Sequence, residues 1–443
     1  MERRDRVGKR LPRKNKPLEM ETIFALSSGT PPAGIGVIRL TGPQVRLALQ
    51  ALTGSVPKPR HATRAKFRNA SNDVLDDGLV LFFAGPHSVT GEDLAEFHCH
   101  GGRAVITAIE KALAEIDGCR SAQAGEFTRR AFANGRIDLS EAEGLADLLS
   151  AETELQRRSA MEMASGSLSR KVDDWRERLL LLSAQVEAVL DFDDEDDVGG
   201  LSQRFSDSLS SLAQDVTDAL SAPHAETLRE GYRVALAGPP NAGKSTLFNA
   251  LTETEAAITA KIAGTTRDVL TQSVALAGIP FTFVDMAGLR EAGEDEIEAI
   301  GIERAGAEIA RADLVLWLGT EGEGPPGSWG VEAQCDRAGH VRKCEHKHRV
   351  SAVTGQGLAE LRTALIDQAR GAVPKPGSAA LNMRQRARLE EALVALQQST
   401  DTPDPLLIAE NLRVARLAFD ALTGQTSTED VLDALFGRFC IGK

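Results

Sequence analysis

Residues Gly238 to Ser245, GPPNAGKS, carry the spacing G-x-x-x-x-G-K-[ST]. In such a loop the glycines let backbone amides face phosphate oxygens and the following helix adds its positive end. Lys244 would then reach the terminal phosphates and Ser245 would offer a hydroxyl to magnesium. The chemistry needs a strand before the loop and a helix after it. YRVALAG, from Tyr232, is apolar and strand-like, and STLFNALT, from Ser245, has a helical pattern. The competing reading, a glycine-rich turn with no ligand, does not explain that context.

Two further signals follow. AGTTRD, 263–268, lies in a loop ahead of the next strands, so Thr266 is placed to complete a magnesium shell and sense a γ-phosphate. FTFVDMAGLR ends an apolar strand on Asp285, and Gly288 follows three residues later with its amide aimed at the same phosphate. An ATPase strand of the Walker-B kind more often ends on two acids, so the D-x-x-G form favours GTP. Leu289 occupies the position where a glutamine orients the attacking water in Ras-like switches. Leucine cannot hydrogen-bond, so another residue must position the water.

The base-reading motif is incomplete. Guanine recognition normally uses N-K-x-D at a strand end, and VEAQCDRAG puts Ala333, Gln334 and Asp336 there. Asp336 can accept from the guanine N–H and amino groups, contacts that adenine cannot repeat. The usual asparagine adds a contact and braces the phosphate loop, which Ala333 cannot do. The usual lysine packs its stem along the base, and Gln334 is a shorter, uncharged stand-in. Guanine is therefore expected to be preferred, but bound more weakly than a complete motif allows. SAVTGQG, 351–357, matches the loop that closes over guanine.

These residues need a framework. Residues 20–138 mix strand-like runs (GIGVIRL, GLVLFFAG) with the helical AVITAIEKALAEI and read as an α+β domain. From Ser140 the texture turns helical, with Glu143 three residues on at a capping-box spacing. Helical periodicity continues through RKVDDWRERLLLLSAQVEAVLDF. Residues 229–372 alternate strand and helix patterns, the mark of a three-layer α/β domain, and helices resume over 373–443. The simplest architecture is one discontinuous helical domain, 139–228 and 373–443, with the α/β domain inserted. GTEGEGPPGSWG has no helical period, so the α/β domain is expected to lack a helix after its fourth strand. No internal repeat is evident.

The 443 residues carry a net charge of −13 and 42% apolar residues. That balance argues against coating nucleic acid or membrane with the whole surface and leaves room for a local basic patch. No apolar run is long enough to span a bilayer. Cysteines 99, 119, 335, 344 and 440 are scattered, form no disulfide framework and suit a reducing cytosol. Residues 1–19 hold eight basic and three acidic residues with no apolar h-region, which excludes a secretory signal. They read as a disordered basic extension; a transit peptide is poorly supported, since acids are present and serine is absent.

Taken together these residues resemble the MnmE (TrmE) family of tRNA-modifying GTPases, from Met20 to Lys443. The resemblance is carried by TPPAGIGVIRLTGP, PHSVTGEDLAEFHCHGG, AGEFTRRAFANGRIDLSEAEGLADLL, GPPNAGKSTLFNAL, IAGTTRDV, AGLREAGEDEIEAIGIERA and the terminal CIGK. It implies an N-terminal folate-binding domain that dimerises, a discontinuous helical domain and an inserted Ras-like P-loop GTPase domain that dimerises through potassium. It further implies a cytoplasmic homodimer that forms a heterotetramer with the FAD-containing MnmG (GidA). Such proteins modify carbon five of the wobble uridine in certain tRNAs, with the carbon taken from a tetrahydrofolate derivative (5-formyl or methylene).

The resemblance also assigns residues. Nucleotide contacts fall on Asn241, Ala242, Gly243, Lys244, Ser245 and Thr246, then on Ala260, Lys261, Ile262, Ala263, Gly264, Thr265 and Thr266. They continue at Asp285, Met286, Ala287, Gly288, Asp336, Ser351, Ala352 and Val353. Magnesium falls to Ser245 and Thr266, and potassium to Asn241, Thr265 and the backbone around Ala260 and Ile262. Glu298 matches the glutamate that orients the hydrolytic water, against the plain reading of a solvated helix face. Folate falls to Arg39, Glu96, Arg136 and Lys443, each an ordinary surface charge if taken alone. Cys440 reads as a nucleophile or, slightly favoured, a small buried side chain.

Three clusters are discounted. DFDDEDD, 191–197, reads as a solvated interhelical turn, HCHGG, 98–102, as a turn in place of a zinc clip, and CDRAGHVRKCEHKH, 335–348, fits no standard finger. Two other functions compete: a ribosome-assembly GTPase acting as an RNA-binding switch, and a scaffold that binds nucleotide only to control dimerisation. The first usually brings a KH-like domain, and no GXXG loop stands in a suitable context here.

Overall fold

The computed structural model describes residues 21–191, 201–221, 225–253, 270–286, 306–337, 343, 346–373, 380–426 and 429–442. The chain divides into two compact units, Met1–Asp138 with Ser427–Lys443, and Leu139–Thr426.

The first unit is built on a six-stranded sheet ordered β3-β4-β5-β2-β1-β6. Its strands are β1 (Thr22–Leu26), β2 (Ile35–Thr41), β3 (Thr63–Arg68), β4 (Val74–Phe83), β5 (Leu94–His100) and β6 (Cys119–Ser121). Strand alternation sorts the side chains. In β5, Ala95, Phe97 and Cys99 enter the core, while Glu96, His98 and His100 point to the other face. Helix α1 (Val45–Thr53) and helix α2 (Arg103–Ala114) cover the core face, α2 through Ile106, Ile109 and Leu113 at helical spacing. Fully burying side chains such as Ile109 and Leu113 contributes about 1.5–3 kcal/mol each.

Helix α3 (Glu126–Ala133) and the C-terminal helix Glu429–Phe436 meet in this same unit. Phe132 packs on Phe436 at 6.1 Å, and Arg129 pairs with Asp433 at 2.9 Å and with Glu429. The tail then lies along the sheet: Ile441 bridges Ala124, and the Ser27 hydroxyl donates to the Gly442 carbonyl at 2.7 Å. Gly442 sits at φ +95, and a Cβ there would lie 2.2 Å from the Leu26 carbonyl, so only glycine fits. Phe439 and Gly442 face inward and Cys440 is exposed, which corrects the expectation of a buried thiol.

The second unit opens with α4 (Leu139–Ser150), α5 (Glu154–Ala164), α6 (Ser167–Asp191), α7 (Gln203–Leu220) and α8 (Ala225–Glu230). Ser140 and Glu143 do not form a capping box, because both lie inside α4 and find distant partners. The Ser140 hydroxyl donates to the Leu422 carbonyl at 2.9 Å, and Glu143 accepts from Arg384 at 2.7 and 2.9 Å and from Gln385 at 2.7 Å. The capping box lies one helix later, between Thr153 and Gln156.

The α/β domain follows. Its strands are β7 (Tyr232–Ala237), β8 (Leu270–Leu276), β9 (Ile279–Asp285), β10 (Leu314–Trp317), β11 (Trp329–Glu332) and β12 (His348–Arg349), ordered β12-β11-β10-β7-β9-β8. Only the β8–β9 pair is antiparallel. Parallel neighbours usually need a helical crossover, yet residues 318–328 join β10 to β11 through turns and bends alone, as the missing helical period implied. Helix α9 (Lys244–Thr252) and helix α10 (Leu358–Ala372) cover the sheet. The chain then re-enters the helical part through α11 (Met383–Asp401) and α12 (Pro405–Thr423). Leu179, Leu182 and Val186 of α6 share one core with Leu209 and Leu212 of α7, Leu389 and Leu396 of α11, and Leu412 and Phe419 of α12. Segments on either side of the inserted domain thus complete a single bundle.

Candidate nucleotide-binding site

The phosphate loop leaves β7 at the carboxyl edge of the sheet. It does so where the strand order switches, with β9 on one side of β7 and β10 on the other. Open α/β sheets bind ligands at such switch points, because the diverging connections leave a crevice there. Burial of Leu247, Phe248 and Leu251 against the sheet fixes α9, whose N-terminus points into that crevice. Gly243 caps the helix at φ +93, and a Cβ there would meet the Gln334 side chain at 3.0 Å. Lys244 is buried, and its ammonium donates to the carbonyls of Gly238 at 3.0 Å and Pro239 at 2.8 Å. It lies across the mouth of the loop, with Ser245 and Thr246 exposed beside it.

Asp285 ends β9, opposite Leu236 of β7, and is fully buried. Its carboxylate and the Ser245 hydroxyl are hard oxygen donors of the kind magnesium takes, so both fit the ion. Met286 buries its side chain with Ala235, Ala237, Val284 and Val315.

The base side is built from the loops after β11 and β12. One cleft of about 870 Å³ is lined by Asn241, Gly243, Lys244, Ser245 and Thr246 at one end and by Ala333, Gln334, Asp336, Arg337, Val350, Ala352 and Val353 at the other. Ser351, fully buried, holds its loop by accepting from the Thr354 amide at 3.1 Å. Ala242 is partly buried and packs against the core below.

Gln334 does more than its size promised. Its Nε2 donates to the Asn241 carbonyl at 3.1 Å, so the brace on the phosphate loop that Ala333 cannot supply comes from the next residue. Arg337 Nη1 in turn donates to Gln334 Oε1 at 2.9 Å. Gln334 and Asn241 sit at φ +59 and +61, a left-handed conformation that costs a non-glycine residue on the order of 1 kcal/mol. The local partners hold both residues there.

Beneath this segment Glu332, the last residue of β11, is fully buried and engaged with Arg349 at 3.1 Å, His346 at 3.3 Å and the Lys343 amide at 3.3 Å. The Lys343 ammonium donates to the carbonyls of Gly319 at 2.6 Å and Val331 at 3.0 Å. Burial pulls that ammonium below its ordinary pKa, while Glu332 and Glu321 pull it back up. Lys343 thus ties the helix-free β10–β11 connection to β11, and the Glu332–Arg349 pair ties β11 to β12.

In the first unit, Arg39 and Glu96 are cross-strand partners on the outer face of β2 and β5, paired at 2.9 and 3.2 Å. His98 adds a third polar group at 3.3 Å from Glu96, and with Cys99 and His100 it belongs to strand β5, which corrects the turn expected from HCHGG. Arg136 is exposed and lays its stem against Gly91. Ala260, Lys261, Ile262, Ala263, Gly264, Thr265, Thr266, Ala287, Gly288, Glu298 and Lys443 lie outside the described residues.

A strand, phosphate loop and helix at the switch point of a mostly parallel sheet, with an aspartate ending the adjacent strand and a separate base wall, define a P-loop protein of the Ras-like GTPase class. Family models extend this beyond the inserted domain: the MnmE helical domain matches residues 139–440 and the GTP-binding protein TrmE N-terminus matches 22–136. Among curated proteins, the tRNA modification GTPase MnmE of Novosphingobium aromaticivorans is 59% identical over 435 residues, 96% of this chain and 100% of the relative. Its namesakes in Erythrobacter litoralis and Rhizorhabdus wittichii are 58% and 54% identical over 96% of this chain, covering 100% and 97% of those proteins. The chain belongs to the MnmE family of tRNA modification GTPases. Among the described residues, no helix is long and apolar enough to cross a membrane.

Proposed function

We propose that this GTPase is stimulated by potassium and, as a homodimer working with the flavoprotein MnmG (GidA), modifies carbon five of the wobble uridine of certain tRNAs. A tetrahydrofolate derivative supplies the carbon. The observation that carries the reading is the single cleft lined by Lys244 and Ser245 at one end and Asp336 and Ala352 at the other. It has room and chemistry for a nucleotide from base to terminal phosphate. Membership of a family whose named members modify tRNA supports the rest.

In this proposal Lys244 turns its ammonium from the loop carbonyls to the terminal phosphates, and the amides that open α9 take the oxygens between them. Ser245, Asp285 and Thr266 would hold magnesium, which when bound would draw charge off the phosphates. Asn241, with Thr265 and the backbone at Ala260 and Ile262, would hold potassium, which would supply the positive charge that an arginine finger supplies elsewhere. Glu298 orients the water that attacks the γ-phosphorus, the bond to the β–γ bridging oxygen breaks, and GDP and phosphate result. Ala287 and Gly288 present amides to the departing phosphate. In the first unit the Glu96 carboxylate accepts from pterin N–H groups, and Arg39, Arg136 and Lys443 offer cations to the glutamate tail. The protein acts in the cytoplasm.

Replacing sodium with potassium tests the nucleotide half: turnover should rise strongly, and Asn241→Ala should abolish the rise. Equal turnover in both salts would defeat the potassium assignment. Mass spectrometry of wobble nucleosides from a strain lacking the protein tests the tRNA half, with loss of the carbon-five modification expected.

A further inference from the structure

The two motif residues that Ala333 and Gln334 replace have two physical tasks between them: a brace on the phosphate loop, and a cationic, apolar-stemmed group against the face of the base. Gln334 performs the first, through Nε2 to the Asn241 carbonyl at 3.1 Å. It has no charge for the second. Arg337 lines the same cleft beside Asp336, is exposed, and is tethered by its Nη1 to Gln334 Oε1 at 2.9 Å. The chain Arg337–Gln334–Asn241 therefore places a guanidinium at the far end of the glutamine that lies over Gly243. A guanidinium is planar, always charged and weakly hydrated, so it stacks on an aromatic face where a glutamine amide cannot.

We propose that Gln334 and Arg337 divide the work of the missing asparagine and lysine, with Gln334 as the brace on the phosphate loop and Arg337 as the cationic shelf against the guanine face. This rests on the guanine-nucleotide reading of the cleft and deepens it. Stacking carries no base identity, because every base has a π-face. Arg337 therefore sets how tightly the nucleotide is held, and Asp336 sets which base is chosen. Phosphate contacts stay with Lys244 and the loop amides.

Competition against fluorescent GDP tests the division in the full-length protein, with thermal unfolding to confirm that each variant is folded. Arg337→Ala should weaken GMP, GDP and GTP by the same factor, roughly 3- to 30-fold. The ratio of GDP to ADP affinity should not change. Adding Gln334→Lys to Arg337→Ala should recover most of the loss, because one lysine can again brace the loop and meet the base. An arginine that only steadied the Gln334 brace would leave GMP affinity unchanged in Arg337→Ala. Unchanged affinity in Arg337→Ala, a loss seen for GDP and GTP but absent for GMP, or failure of the rescue would each overturn the proposal. If the unsubstituted protein holds ADP as tightly as GDP, the guanine reading beneath it fails instead, so the two failures are distinct.

Discussion

The two ends of the nucleotide cleft are made of different material. At the phosphate end the binding groups are mostly backbone: a loop held between a buried strand and a buried helix, with one lysine across its mouth. At the base end they are side chains on short connections after β11 and β12, pinned by the buried Glu332 cluster. A backbone cradle tolerates little change, since its geometry depends on glycine positions and core packing. A side-chain wall can be rebuilt by moving a task to a neighbour, as Gln334 has taken over the brace. The contrast accounts for an intact phosphate motif beside a degraded base motif in one chain.

The largest effect expected to break this comparison concerns phosphate chemistry. Glu298→Ala should lower turnover by roughly 10²- to 10⁴-fold, the range for a removed proton-handling or water-orienting group, with GTP affinity kept. Single-turnover kinetics alongside equilibrium binding separates the two quantities, and a matching loss of affinity would make Glu298 structural. Next, Lys244→Ala should weaken GDP and GTP by about 1.5–3 kcal/mol, on the order of a hundredfold at the upper end, without altering the choice between guanine and adenine. Asp336→Asn should erode that choice instead. If both variants lose affinity and selectivity together, the two ends are not independent.

Completing the motif with Ala333→Asn and Gln334→Lys should tighten GDP by only about 1 kcal/mol, because the brace is already made. Calorimetry showing no gain would mean that the rebuilt wall is equivalent to the usual one. The smallest expected effect is a change in labelling. Cys335 is partly exposed between Gln334 and Asp336, so GDP should slow its alkylation. Burial pushes the Cys99 and Cys119 thiols up to about 11, so each holds little thiolate at neutral pH and should react slowly with or without nucleotide. Peptide mapping after iodoacetamide treatment reads all of them at once.

The elements that frame the candidate site were legible in the sequence, because their signals are local. Glycine and lysine spacing between an apolar strand and a helix, and an aspartate at a strand end, depend on residues a few positions apart. The absence of a helical period in GTEGEGPPGSWG was equally readable, and residues 318–328 carry no helix. The errors came where the partner is far along the chain. Ser140 and Glu143 have capping-box spacing, yet their partners Leu422, Arg384 and Gln385 lie more than two hundred residues away. Cys440 looked small enough to bury, and the seating of Gly442 against the Leu26 carbonyl turns it outward.

The sequence by itself determined which segment forms the loop between β7 and α9, that Asp285 ends a strand, and that helical segments flank an α/β insertion. Each of these follows from short-range periodicity and from residue types whose chemistry has few alternatives. Only the tertiary structure decided what replaces a missing side chain. That Gln334 reaches Asn241, that Arg337 steadies Gln334, and that His98 joins Arg39 and Glu96 all depend on strands and loops brought together from distant parts of the chain. Such meetings are set by sheet order and register, which no short window of sequence contains.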